Sequence, residues 1–292
     1  MAPSFTAQTM ALQRAMETAR PANSRLFTDP LATAFLSGPL RGVAALARLP
    51  VLGWIVPRVY DLALPGPRPS AVARTRLIDD AVSEALNAGI RQLVVLGAGF
   101  DSRAWRLDGL RDARVIEIDR QGTQAEKIAA VRRSGRSVDN VRFVAVDFER
   151  DDLETALRAA GFAEDEQSLF LWEGVTNYLT AEAVDRTLEI VHSLSAPGSR
   201  LVFTFVHAGV IDGSAEFPEA ARWLRSVATV GEPWTFGLRP EQLRDFLIGR
   251  GYELIWEEST AAAGRRYFGP VGRPDRASEL YRVALARVAC PA

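Results

Sequence analysis

Short apolar runs recur from residue 92 onward, at 92–96, 114–119, 141–147, 168–173 and 200–206, with stretches of helical spacing between them. Strands buried on both faces carry near-continuous apolar runs of this kind. Parallel neighbours also need a crossover segment between them, so the pattern predicts a parallel sheet covered by helices. Two later runs, YELIWEES at 252–259 and ELYRVALARVA at 279–289, show no crossover helix between them, and the final strand is therefore expected to run antiparallel. Ahead of the sheet, TAQTMALQRAMETAR at 6–20 has helical spacing, and DPLATAFL at 29–36 reads as a helix starting after Asp29 with Pro30 in its first turn. PGPRP at 65–69 reads as a stiff break before a helix over about 70–88. After the fifth strand the periodicity lapses until about 238, apart from a helix near 217–228, and RPEQLRDFLIGRG then predicts another helix. A connection of that length acts as a lid or binding loop. The expectation is an α/β fold: a helical N-terminal cap over 1–69, then a seven-stranded, mostly parallel domain over 70–292 with a lid at about 207–238.

Composition narrows the chemistry. The 292 residues are 48% hydrophobic, enough for a full core, and the formal charge is -1 with no basic stripe, which argues against a nucleic-acid surface. Lys127 is the sole lysine. Cys290 is the only cysteine, so internal disulfides, Cys-ligated zinc and iron–sulfur clusters are excluded, and with His192 and His207 as the only histidines no His-rich metal site is expected. The N-terminus lacks a secretory pattern. The apolar stretch 43–64 is interrupted by Arg48, Pro50, Pro57, Arg58 and Asp61, which argues against a membrane span. A soluble cytoplasmic protein is expected.

The candidate site lies where strand meets turn. In LGAGFDSRAWRL at 96–107 the first strand runs into Gly97 and Gly99, which let the backbone turn tightly and approach a ligand, and then into a helix start. About twenty residues on, the second strand ends in Asp119, the arrangement that places a carboxylate on a ribose diol. Ser102 stands where a dinucleotide fingerprint has its third small residue. These residues point to a nucleoside cofactor without naming it, and Asp119 could also simply cap its strand.

A seven-stranded sheet with a late antiparallel strand, entered through helices, is more like a class I (Rossmann-like) S-adenosylmethionine methyltransferase than a dehydrogenase. ARTRLIDD (73–80), LGAGFDSRAWRL, EIDR (117–120), VDFE (146–149) and LWEGVTNYLT (171–180) together resemble the leucine carboxyl methyltransferase family, in particular its bacterial branch with polyketide O-methyltransferases of the tetracenomycin type. The resemblance implies that Arg74 holds the carboxylate of S-adenosyl-L-methionine, Gly97 backs its methionine moiety, Asp119 takes the ribose hydroxyls, Asp147 with Phe148 meets the adenine, and Glu173 meets the amino group. Each role suits its residue: a guanidinium forms paired hydrogen bonds with a carboxylate, and Glu173 ends a strand at the carboxyl edge, where open sheets bind ligands. On the residues alone, Arg76 could replace Arg74, Asp147 could cap the following helix, and Glu173 could be structural. Arg103, Arg106 and Lys127 read as surface or helix-supporting charges.

Methyl transfer from a sulfonium is an in-line displacement in which positioning supplies much of the rate. A carboxylate acceptor needs no base at neutral pH, whereas a phenol with a pKa near 10 does. His207, directly after the fifth strand, is the imidazole available as a base, or else a loop histidine beside the pocket. Asn177 and Tyr178 could contact the acceptor, or Tyr178 could pack under the cofactor. Trp54, Tyr60, Phe217, Trp223, Trp234 and Phe236 fall in the cap and the lid, as an aromatic pocket or as ordinary packing. The resulting expectation is an O-methyltransferase acting on a carboxylate or phenolic hydroxyl of a small secondary metabolite. An NAD-dependent oxidoreductase and a cofactor-binding protein without methyl transfer are the competing readings.

Overall fold

The computed structural model describes residues 5–64, 66–229 and 231–289. Cys290 and Pro65 of the predicted break lie outside the described residues. In chain order the elements are α1 (Phe5–Thr18), α2 (Gly38–Leu46), α3 (Leu52–Ala63), α4 (Pro67–Asn87), β1 (Gln92–Leu96), α5 (Arg103–Arg106), β2 (Arg114–Asp119), α6 (Gln121–Arg133), β3 (Val141–Ala145), α7 (Leu153–Ala159) and β4 (Ser168–Trp172). They continue with α8 (Ala181–Leu194), β5 (Arg200–Val206), α9 (Ala208–Ile211), α10 (Ala220–Thr229), α11 (Leu243–Ile248), β6 (Tyr252–Ser259), α12 (Thr260–Phe268) and β7 (Tyr281–Val288).

The seven strands form one sheet in the order β3-β2-β1-β4-β5-β7-β6. β1 to β5 pair in parallel, while β7 lies antiparallel between β5 and β6. β1 and β4 are buried along their whole length, as their unbroken apolar runs require, with one hydrophobic cluster on each face of the sheet. The strand order reverses between β1 and β4, so their carboxyl ends open a crevice where ligands bind in open α/β sheets. The cap packs its own apolar cluster, including Leu12, Met16 and Phe35, onto Phe100 and Val131 of the sheet domain.

Three local expectations are corrected. The helix expected over 29–36 is a short 3-10 turn, Ala32–Phe35, because the Asp29 carboxylate takes the Leu31 and Ala32 N–H groups at 3.0 and 3.1 Å and also binds Arg14 and Ser102. The prolines at 67 and 69 do not hold the next helix off until 70: α4 starts at Pro67, since first-turn N–H groups have no intrahelical partner to lose. A helix does separate the last two strands. α12 begins where the Ser259 hydroxyl accepts the Ala262 N–H at 3.1 Å, and Ala261, Ala263 and Gly264 are buried along it.

Candidate active site

Three strand ends build the floor of the crevice. After β1 the chain turns through Gly97 and Gly99, both at positive φ (68° and 45°). Gly97 is required twice over: a Cβ there would stand 2.4 Å from Val175 Cγ2. Asp119, at the end of β2, accepts the Gly99 N–H and, at 2.7 Å, the Arg120 N–H, which ties the glycine turn to the acid that faces it. Burial pushes the Asp119 carboxyl up, against those two hydrogen bonds. Glu173 follows β4, one oxygen accepting from Arg74 Nε at 2.7 Å and the other from an Arg103 nitrogen at 2.8 Å. Burial works to raise its pKa, but the Arg103 and Arg74 guanidiniums more than offset this and hold the carboxyl below its ordinary range.

These groups line a cavity of about 560 Å³, within the size range of small-molecule and cofactor sites. Arg74, Gly97, Gly99, Asp119, Asp147, Phe148, Glu173 and Tyr178 all contribute to its wall. Arg74, buried on α4, has its guanidinium 4.8 Å from the centre of the Tyr281 ring. Arg76 instead pairs with Asp80 and donates to the Leu26 carbonyl, away from the cavity. Asp147 does not cap the next helix. Its side chain accepts the Glu149 N–H at 3.1 Å, and Asp152 caps α7.

Two acceptor-side residues stand elsewhere. His207 caps the short α9 through its Nδ1, which accepts the Gly209 N–H at 3.0 Å; its ring packs beside Phe217, and it is not part of the cavity wall. Asn177 is fully buried behind the wall, where its backbone carbonyl accepts the Thr235 N–H at 2.8 Å and ties down the segment that follows α10. Of the aromatic candidates, Tyr60, Trp223 and Trp234 reach the cavity, while Phe236 joins the core and Trp54 faces solvent.

The largest correction concerns charge. Arg103, Arg106 and Lys127 are not surface groups: all three side chains are almost wholly buried. Arg103 gathers Asp79, Asp101 and Glu173 around one guanidinium, and Arg106 binds both oxygens of Asp79. Burial would raise the Asp101 carboxyl, yet Arg103 holds it well below the ordinary carboxylate range. Lys127 pairs with Glu117 beneath the Asp119 strand end, where burial pushes the Glu117 carboxyl up to about 7. Sequence reasoning also missed Arg14 of α1, which donates to the Phe100 carbonyl at 2.6 Å and to Asp29, fastening the cap over the glycine turn. Only its spacing with Met10 and Gln13, on the α1 face that meets the cavity, hints at this role in the sequence.

The residues fit an adenosyl amino acid. A glycine turn in which Gly97 has no room for a Cβ lies beside an acid at the end of β2, and an ionised acid and a guanidinium stand together at the end of β4. Asp119→Ala is expected to weaken S-adenosyl-L-methionine binding by about 1–3 kcal/mol, the scale for losing hydrogen bonds to a charged group. Isothermal calorimetry measures this directly, and an unaltered Kd would remove Asp119 from the site.

The strand order, with β7 inserted antiparallel beside β5, and the site at the β1–β4 crevice define the class I methyltransferase fold. A crystal structure of a "putative methyltransferase" from Thermobifida fusca shares the fold, with a TM-score of 0.61 at 18% identity over 94% of this chain and 97% of that one. In sequence, the leucine carboxyl methyltransferase pattern matches residues 7–192. A Frankia alni protein named "putative S-adenosyl-L-methionine-dependent methyltransferase" is 37% identical over 238 residues, 80% of either chain. A Streptomyces avermitilis protein of similar name is 32% identical over 291 residues, covering 94% of this chain and 93% of its own. The chain belongs to the leucine carboxyl methyltransferase family, and with it to the S-adenosyl-L-methionine-dependent methyltransferases.

Proposed function

We propose that this protein methylates a hydroxyl oxygen, phenolic in the first instance, of a small ring-bearing acceptor of the polyketide-like kind. When bound, S-adenosyl-L-methionine supplies an electrophilic methyl group on a sulfonium. Arg74 is suited to its carboxylate, Glu173 to its ammonium, Asp119 to its ribose hydroxyls, Gly97 and Gly99 to close backbone approach, and Asp147 with Phe148 to its adenine.

The observation that carries the choice of acceptor is the makeup of the remaining wall. Tyr60, Tyr178, Trp223, Trp234 and Tyr281 supply its rings, and Glu232, from the lid, supplies a carboxylate whose oxygen accepts the Thr6 hydroxyl. In this reading Arg74 is taken up by the cofactor carboxylate, and of the other arginines among the described residues that reach the cavity Arg14 is bound to Asp29, Arg103 to Asp79, Asp101 and Glu173, and Arg106 to Asp79, while Arg120 is largely exposed. An acceptor carboxylate would enter beside the Glu232 carboxylate, like charge against like, a costly burial. A neutral hydroxyl avoids that cost and gives Glu232 a proton to accept, a role for which the sequence offers His207 as one candidate. Tyr178, its phenol pushed up to about 12 chiefly by burial, keeps its proton at neutral pH and can donate a hydrogen bond to the acceptor.

Glu232→Gln is therefore expected to lower kcat at neutral pH by about 10²- to 10⁴-fold, the range for loss of a general base, while leaving the cofactor Kd within about twofold. Methyl-labelled cofactor, paired phenol and carboxylate analogues of one ring skeleton, and mass spectrometry of the products test the reading together. Methylation of the carboxylates alone would overturn it, as would cofactor binding without turnover on any acceptor. Binding of a nicotinamide dinucleotide in place of the adenosyl compound would support the dehydrogenase reading instead.

A further inference from the structure

The hairpin of α2 and α3 turns its apolar faces outward. On α3, Trp54, Ile55, Arg58, Val59 and Leu62 fall at the i, i+1, i+4, i+5, i+8 spacing of a single helix face. That face meets solvent: Trp54 is 55%, Val59 58% and Leu62 78% exposed. The opposite side, with Val56 and Tyr60, packs on the cap's core. α2 is arranged likewise. Ala44 and Ala47 are buried, whereas Leu46 at its end and, in the turn between the helices, Leu49 and Val51 are exposed. Of the eleven large hydrophobic side chains exposed among the described residues, seven lie between 46 and 62. Gly53 lets the hairpin close tightly, since a Cβ there would stand 2.8 Å from the Ala47 carbonyl oxygen.

Charge selects the partner. The exposed charged residues of this hairpin are Arg41, Arg48 and Arg58, and its one acid, Asp61, is half-buried and bound to Arg68. A two-fold contact between copies would set the patch against itself, arginine facing arginine with no acid to answer it. An anionic lipid surface answers both features at once: aliphatic and tryptophan side chains enter the headgroup and acyl boundary while arginines reach the phosphates. Among the described residues no helix is long and apolar enough to cross a membrane, so such attachment would lie in the interface plane.

We propose that the α2–α3 hairpin docks this protein on the surface of an anionic membrane. Tyr60, on the inner side of α3, and Leu64 just beyond it line the cavity, so the docking face and part of the cavity wall are two sides of one short segment.

The test is co-sedimentation of the full chain with vesicles of phosphatidylcholine alone and of phosphatidylcholine mixed with phosphatidylglycerol, with light scattering for mass. The expected result is binding to the anionic vesicles only, weakened by salt. Trp54→Ser combined with Leu62→Ser should weaken it by at least about tenfold, and Arg48→Glu with Arg58→Glu should remove the preference for anionic lipid. Because these side chains face solvent, the variants should keep the wild-type circular dichroism and cofactor Kd, so a loss of vesicle binding is not a loss of fold. Absence of binding to either vesicle would overturn the proposal. A dimer that the Trp54→Ser, Leu62→Ser variant dissociates would also overturn it, by making the patch a self-interface.

Discussion

Arg103→Met should lower the free energy of unfolding by about 3–5 kcal/mol, the cost of breaking a buried ion pair and leaving the partner charge uncompensated. The effect is large because one guanidinium serves three acids: it is 2.8 Å from both Asp79 and Glu173 and also binds Asp101. Arg106 still holds Asp79 and Arg74 still holds Glu173, so Asp101 loses most. The pH dependence gives a second reading with a definite sign. In the wild type Asp101 and Glu173 have folded-state pKa values below their ordinary ones. Their contribution is therefore whole above the unfolded value of about 4 and is lost as pH falls through the folded values. Without the Arg103 side chain, Asp101 keeps the backbone N–H of residue 103 and the Lys127 and Arg106 charges, and its folded pKa moves up from its lowered wild-type position toward the ordinary one. The stability this group adds above a pH of about 4 shrinks accordingly, and with it the loss on acidification. Urea unfolding at several pH values reads both effects; a change under about 1 kcal/mol at pH 7 would mean that the cluster is not held as described.

Gly97→Ala should lower stability by about 2–5 kcal/mol and sharply weaken cofactor binding. Two costs combine. A φ of 68° disfavours any L side chain, by about 1–2 kcal/mol, and the new methyl would meet Val175 Cγ2 at 2.4 Å, an overpacking cost of about 1–3 kcal/mol. Valine is stiff at χ1 and cannot swing aside cheaply. Adding Val175→Ala to Gly97→Ala should recover the packing part and leave the backbone part. Gly99→Ala is the contrast. Its added Cβ would lie 3.7 Å from Ala7, an ordinary contact, so its cost is backbone strain alone. Thermal unfolding and calorimetric titration with S-adenosylhomocysteine check these expectations, and an unaltered Tm with an unaltered Kd for Gly97→Ala would contradict them.

Much of this site was legible because strand ends announce themselves. The apolar runs located β1, β2 and β4, and the residues directly after or ending them, Gly97, Asp119 and Glu173, fell on the crevice without any knowledge of tertiary contacts. What stayed hidden depended on tertiary packing. Arg103 and Lys127 look like any surface charge until the fold brings Glu173, seventy residues on, to the one and packs α6, which carries the other, against Glu117 of β2. His207 shows the reverse failure. Position after β5 brought it to the correct edge of the sheet, but its side chain turned to cap its own short helix. Glu232, which does reach the cavity, sits in the aperiodic segment between β5 and α11, where no pattern marks it. α12 is hard to see in the sequence because it is a short nine-residue segment whose buried face is made mostly of alanine and glycine, which mark a core helix less plainly than large apolar side chains do.

The central claim is that the β1–β4 crevice holds S-adenosyl-L-methionine between the end of β2 and the end of β4. A crystal of the protein soaked with S-adenosylhomocysteine tests it most directly. The account predicts the ribose within hydrogen-bond distance of Asp119 and the amino-acid end between Glu173 and Arg74. A ligand found elsewhere in the molecule, or one lying in the crevice with those two ends exchanged, would contradict it.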